Sequence, residues 1–166
     1  MTNQIHRINA KFILPVTSPV IQNGSILINN GRIQFVGKEA DCLNDADYQV
    51  SHYSDHLIMP GLVNAHTHLS LFHLRNKIKA GTPFTDWIRE IISCSNSMTE
   101  LEEKDAIKKG IKNLVATGTT TIGDISRSGF SVEVMQKTGI RGVVFLEIIG
   151  FKKSMENEEM QGLISY

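Results

Sequence analysis

Cysteine is scarce: Cys42 and Cys94 are the only two in 166 residues, far apart and outside any Cys-x-x-Cys pair. That excludes a disulfide-stapled scaffold and a cysteine-built metal site, and both read as free thiols filling small apolar spaces. Net charge is missing as well. Seventeen Lys and Arg cancel seventeen Asp and Glu, so no long-range field draws nucleic acid or an anionic membrane surface. Long hydrophobic runs are also lacking: the stretch after Arg7 is interrupted at Pro15, too early for a secretory core or a membrane span. Repeats and low-complexity segments are not found either. These absences lead to the expectation of a cytoplasmic protein that handles a small, largely neutral molecule, with neither nucleic acid nor membrane as partner.

What is present is a globular composition, 41% hydrophobic and 20% charged, in a chain long enough to bury a core. Residues 1–56 read as a small β module. Strand-like runs occupy 12–14, 25–28 and 32–36, with a further strand near 48–51. Asn30-Gly31 separates the second and third runs, and this dipeptide tolerates the positive φ angles of a two-residue hairpin turn.

Residues 57–166 switch to alternating strand and helix, the pattern of a parallel sheet with crossover helices. The first strand is expected over 57–66, the second over 119–125 and the third over 140–149. Thr99 followed by Glu102 forms a capping box, after which Ile107, Ile111, Leu114 and Val115 share one helical face that ends at Gly118. Shorter helices are expected over 131–137 and 153–165. Roughly fifty residues separate the first two strands, whereas a whole βαβ unit takes about thirty, so the excess is available to shape a pocket.

The first of these strands ends in His66-Thr67-His68. Alternation along an extended strand sends His66 and His68 to one side and Thr67 to the other, so two imidazoles can share one ion. Zinc and iron both accept imidazole nitrogen, with zinc favoured. A catalytic zinc takes three protein ligands and leaves a position open, so two histidines make half a site.

Residues 60–68, Pro-Gly-Leu-Val-Asn-Ala-His-Thr-His, resemble the first barrel strand of the amidohydrolase superfamily. Residues 69–75 and the Phe84-Thr85-Asp86-Trp87-Ile88 run are similar to its chlorohydrolase and aromatic-deaminase branch. The resemblance implies an incomplete (β/α)8 barrel of about three strands, preceded by an incomplete β-sandwich segment. It implies a divalent metal held by His66 and His68, and a hydrolase or deaminase acting on non-peptide carbon–nitrogen bonds. Its expected substrate is a small molecule such as a nucleobase or nucleoside derivative. Arg75 and Trp87 become substrate-contact candidates. Asn76 stands where that branch frequently has Gly.

A closed barrel takes about 250 residues, whereas 57–166 holds 110. The resemblance calls for further metal ligands and a proton-transfer Glu on later strands, which these residues do not include. No catalytic residue is therefore assigned here. The chain would need a carboxyl-terminal half or a partner chain, and an inactive remnant or one chain of a split enzyme are the rival readings.

Other polar residues carry plainer expectations. His6, His52, His56 and His73 read as surface or capping histidines, His73 being nearest the pocket. Asp124, ending the second strand, is expected to accept backbone donors where strand meets loop, and Glu147 to pair with a base in the barrel wall. Phe84 and Trp87 read first as core or pocket wall and second as a stacking surface for a heterocycle.

Overall fold

A computed structural model describes residues 5–43 and 48–148. The helix expected over 153–165 lies outside the described residues. The chain forms two compact units that meet in sequence at Pro60 and Gly61.

The first unit is a four-stranded sheet made of β1 (His6–Ile13), β2 (Ile21–Asn29), β3 (Arg32–Lys38) and β4 (Gln49–Ile58), in the order β3-β2-β1-β4. β1 pairs antiparallel with β2 and parallel with β4. The hairpin between β2 and β3 turns where expected. Asn30 and Gly31 adopt φ of 50° and 71°, the left-handed values that a two-residue turn of matching twist demands. Alternation along β1, reset by a register shift between Ala10 and Phe12, separates two environments. Ala10 and Ile13 pack with Ile26 in an apolar core, whereas Arg7 and Asn9 are buried in a polar cluster with Ser25. Arg7 Nε donates to Asn9 Oδ1 at 3.0 Å and to Ser25 Oγ at 3.1 Å, and Asn9 Nδ2 donates to Glu39 Oε1 at 2.7 Å. Pairing of this kind offsets the desolvation of a buried guanidinium.

One strand departs from its expected bounds. Leu57 and Ile58 do not open the barrel strand but end β4, facing Phe12 and Ile13 of β1. The next strand, β5, is Leu62–Thr67. Pro60 has no N–H for a ladder bond, and Gly61 passes so close to Thr120 that a Cβ there would lie 2.2 Å from its Oγ1. An apolar run continuous in sequence is thereby shared between two sheets.

The second unit holds a parallel sheet in the order β5-β6-β7, with β6 at Thr119–Ser126 and β7 at Arg141–Leu146. After β5 come a 3-10 turn (Leu69–Leu74), α1 (Phe84–Asn96) and α2 (Glu100–Ala116), and α3 (Phe130–Thr138) links β6 to β7. Leu69, Ile107, Ile111, Ile122, Val134 and Met135 form the core between helices and sheet. Ile107 is wholly buried, which removes about 1.5–3 kcal/mol of apolar side chain from water. Leu114 packs on this core as the helical face predicts. Val115, expected there too, is 53% exposed, since it sits one residue round from the stripe. The Thr99 and Glu102 capping box is formed in both directions and contributes about 1 kcal/mol.

α2 and α3 are joined by charge. Lys104 lies 2.5 Å from both Glu100 and Glu133 and 4.8 Å from the centre of the Phe130 ring. Glu133 also pairs with Lys137, and hydrogen bonds from Lys104 and then Lys137 lower its pKa from 4.5 to about 2. A depressed carboxylate stabilises the fold above its unfolded pKa. The contribution is therefore complete above pH 4.5 and disappears as pH falls towards 2. Melting temperatures recorded across that window should fall more steeply for the wild type than for Glu133→Gln, and parallel curves would contradict the assignment. The group is solvent-exposed, so added salt should shrink the difference.

Apolar side chains remain open on this sheet, with Val63 68%, Val143 58% and Phe145 51% exposed. Among the described residues, β5 and β7 each pair on one side only.

Candidate metal centre and pocket

The carboxyl end of β5 carries the His66-Thr67-His68 segment, and its geometry is not that of a regular strand. Asn64 faces Ile122 and Thr67 faces Asp124, so β5 spends three steps where β6 spends two. The extra residue is a bulge, a device that re-aims side chains beside functional sites. Inside it the His66 amide donates to Asn64 Oδ1 at 3.2 Å in place of a ladder acceptor. The bulge also brings the Ala65 carbonyl over Gly123, where a Cβ would come within 2.5 Å of that oxygen.

The two rings meet edge to face, with centroids 5.4 Å apart. Thr67 points away from them and donates to Asp124 Oδ1 at 2.9 Å. His66 is exposed and His68 half-buried, and no hydrogen bond engages either ring among the described residues. Paired imidazoles with uncommitted nitrogens suit a borderline cation such as zinc. Among the described residues no third His, Cys, Asp or Glu joins them.

His68 forms part of the wall of a pocket of about 740 Å³ at the carboxyl ends of the three parallel strands. The apolar side is supplied by α1, through Trp87, Ile88, Ile91 and Ile92, with Leu71 from the 3-10 turn. The long connection after the first barrel strand thus shapes a pocket. Its polar side comes from Arg127, Ser128, Glu103 and Glu147. Ser128 Oγ donates to Glu103 Oε1 at 2.6 Å, and Arg127 reaches Asn96 Oδ1 at 3.4 Å.

The other named residues fall in different places. Trp87 is 39% exposed and stacks with Phe84 at 5.8 Å between centroids, whereas Phe84 is 73% exposed and outside the pocket wall. Arg75 donates to Asn113 Oδ1 at 2.8 Å and lies over the Phe72 ring, so it braces the 3-10 turn against α2 and is not among the pocket-lining residues. Asn76 adopts φ 64°, the conformation that a glycine would take there. Glu147 lies just past β7, its amide bonded to the Ser126 carbonyl at 2.9 Å, and no base pairs with it among the described residues. His73 Nδ1 lies 2.7 Å from the Ser70 carbonyl. His6 meets Ser51 Oγ at 2.9 Å, and His52 and His56 sit on β4, remote in sequence from the pocket. Asp124 does accept a backbone donor, the Leu69 amide at 2.8 Å, and two hydroxyls besides.

The sequence pattern does not single out Arg127, Ser128 or Glu103 as pocket residues. A usable signal exists for the first two, which directly follow the second barrel strand, where barrel sites are built. Glu103 gives none, being one of several acids in the first turn of α2.

Comparison with known proteins agrees with this architecture. A profile described as the Amidohydrolase family matches residues 57–163. The chain belongs to that family. Among curated relatives, the 5-methylthioadenosine/S-adenosylhomocysteine deaminase of Moorella thermoacetica is 29% identical over 163 residues, covering 92% of this chain and 36% of the relative. The 5'-deoxyadenosine deaminase of Methanococcus aeolicus is 30% identical over 141 residues, covering 80% and 32%. A crystal structure of an adenosine deaminase from Xanthomonas campestris with bound zinc superposes with a TM-score of 0.81 at 23% identity, covering 96% of this chain and 38% of that one. This amidohydrolase chain thus spans about a third of the length of the relatives it matches, and its parallel sheet is part of a larger barrel architecture. No helix among the described residues is long and apolar enough to cross a membrane.

Proposed function

We propose that this chain is the amino-terminal part of a metal-dependent deaminase whose substrates are nucleoside derivatives, with adenosines altered at the 5' position as the leading class. The observation that carries the reading is the pair of uncommitted imidazoles, 5.4 Å apart, one of which, His68, lines a pocket that also has an apolar side from α1. The names of two relatives, both deaminases of 5'-altered adenosines, support the substrate class. The zinc in the structurally similar adenosine deaminase supports the choice of metal.

His66 and His68 would hold the cation. When bound, it supplies Lewis-acid activation for hydrolysis of a carbon–amine bond. Trp87 offers a flat face to the heterocycle, and Ile88, Ile91 and Ile92 exclude water from one side of it. Arg75 acts one layer away, by bracing α2. The remaining ligands and the carboxylate that moves the proton come from polypeptide outside this chain, in a longer protein or a partner.

The test is ammonia release from 5'-substituted adenosines. A protein carrying this chain together with the rest of its barrel should release ammonia and form the corresponding inosine. The 166-residue chain alone should release none above a His66→Ala, His68→Ala control. Turnover by the chain alone would refute the division of labour, and failure of the complete protein on every adenosine derivative would refute the substrate class.

A further inference from the structure

Asp124 is the only carboxylate among the described residues that is buried, with 0% exposure. Its Oδ1 accepts the Thr67 hydroxyl at 2.9 Å and the Leu69 amide at 2.8 Å. Its Oδ2 accepts the hydroxyl of Ser131, in the first turn of α3. Thr67 and Leu69 are the two neighbours of His68.

His68 itself has little to hold it. β5 ends at Thr67 and the 3-10 turn starts at Leu69, so His68 stands between them at φ −127° and ψ 81°, outside the ladder. Its carbonyl accepts the Leu71 amide at 3.0 Å, but its ring has no partner among the described residues. Its two neighbours are held instead at Asp124, Leu69 by its backbone amide and Thr67 by its side-chain hydroxyl, which also lies 3.3 Å from the Gly123 carbonyl. Three donors converge on this position, and an ionised carboxylate, which only accepts, satisfies all of them.

We propose that Asp124 is a positioning residue for the metal pair, setting the direction of the His68 ring relative to His66 by clamping both flanks of His68 to β6. The proposal rests on the metal-site reading above. The two carboxylate oxygens have separate roles, with Oδ1 orienting the ligand and Oδ2 anchoring α3.

The experiment is a zinc titration of the 166-residue chain, followed through the ring resonances of His66 and His68, with circular dichroism as the check on folding. Asp124→Ala and Thr67→Val should weaken zinc binding about tenfold, the size of effect seen when a supporting partner of a ligand is lost. Ser131→Ala should lower the melting temperature and leave zinc affinity unchanged. Asp124→Asn should retain affinity, because its amide oxygen still accepts from Thr67 and Leu69 while its amide nitrogen donates to Ser131 Oγ. Undiminished affinity in folded Thr67→Val, or an equal loss in Ser131→Ala, would overturn the proposal. Thr67→Val decides the matter should Asp124→Ala fail to fold. If His66→Ala, His68→Ala binds zinc like the wild type, the metal-site reading fails first, and that outcome is distinct from a failure of the clamp.

Discussion

Gly123→Ala should destabilise the second unit by about 3 kcal/mol, at the upper end of what overpacking costs. The new Cβ would stand 2.5 Å from the Ala65 carbonyl oxygen and 3.0 Å from its carbon. Both are backbone atoms, so no side-chain rotation relieves the clash, and either β5 or β6 must move. The strain falls at the bulge that contains His66, which couples stability to the candidate site. Against a total stability of about 5–15 kcal/mol for an ordinary domain, such a loss is large. Denaturant unfolding should show a lower midpoint with an unchanged slope. A cost below about 0.5 kcal/mol, the range of an uncoupled surface change, would mean that the close approach of β5 to β6 does not exist in solution.

Replacing His66 and His68 together by alanine should weaken zinc binding by more than about 100-fold, beyond the loss expected when only a supporting residue is removed. Each imidazole is a neutral nitrogen donor, and zinc retains little affinity for the site once both are gone. The starting affinity of the 166-residue chain should be modest, because no third ligand joins the pair among the described residues. Melting temperature should change little in zinc-free buffer, since His66 is exposed and neither ring is hydrogen-bonded among the described residues. Tight stoichiometric zinc retained through dialysis by the wild-type chain would contradict the half-site argument. Retention by the double variant would move the site elsewhere.

The parts of the fold that show in the sequence are those whose determinants are local. Asn30-Gly31 specifies its hairpin because only a few residues accept two positive φ angles, and Thr99 with Glu102 specifies the start of α2 because both partners lie within one turn. The spacing of Ile107 and Ile111 likewise reveals which face is buried. The break at Pro60-Gly61 is harder to see, for an apolar run says that residues are buried without saying in which sheet. β7 ends at Leu146, earlier than its apolar pattern suggests, which leaves Glu147 beyond the strand at the pocket.

For the candidate site, the two-residue spacing of His66 and His68 is legible in the sequence, whereas the bulge that aims the two rings is not. Nor are their surroundings. Arg75 and Trp87 look equivalent as polar or aromatic residues after a barrel strand, yet one turns to Asn113 and the other to the pocket. Asp124 is far from His68 in sequence, and its convergence with Thr67, Leu69 and Ser131 requires β5, β6 and α3 to be packed first.

Residue order therefore dictated the turns, the helix caps, the α/β alternation and the presence of a two-imidazole motif, all consequences of interactions between near neighbours. Packing in three dimensions settled the division of the long apolar run, the bulge at His66, the pocket wall and the partners of Asp124. These depend on which distant backbones approach each other, and composition and periodicity do not encode that approach locally.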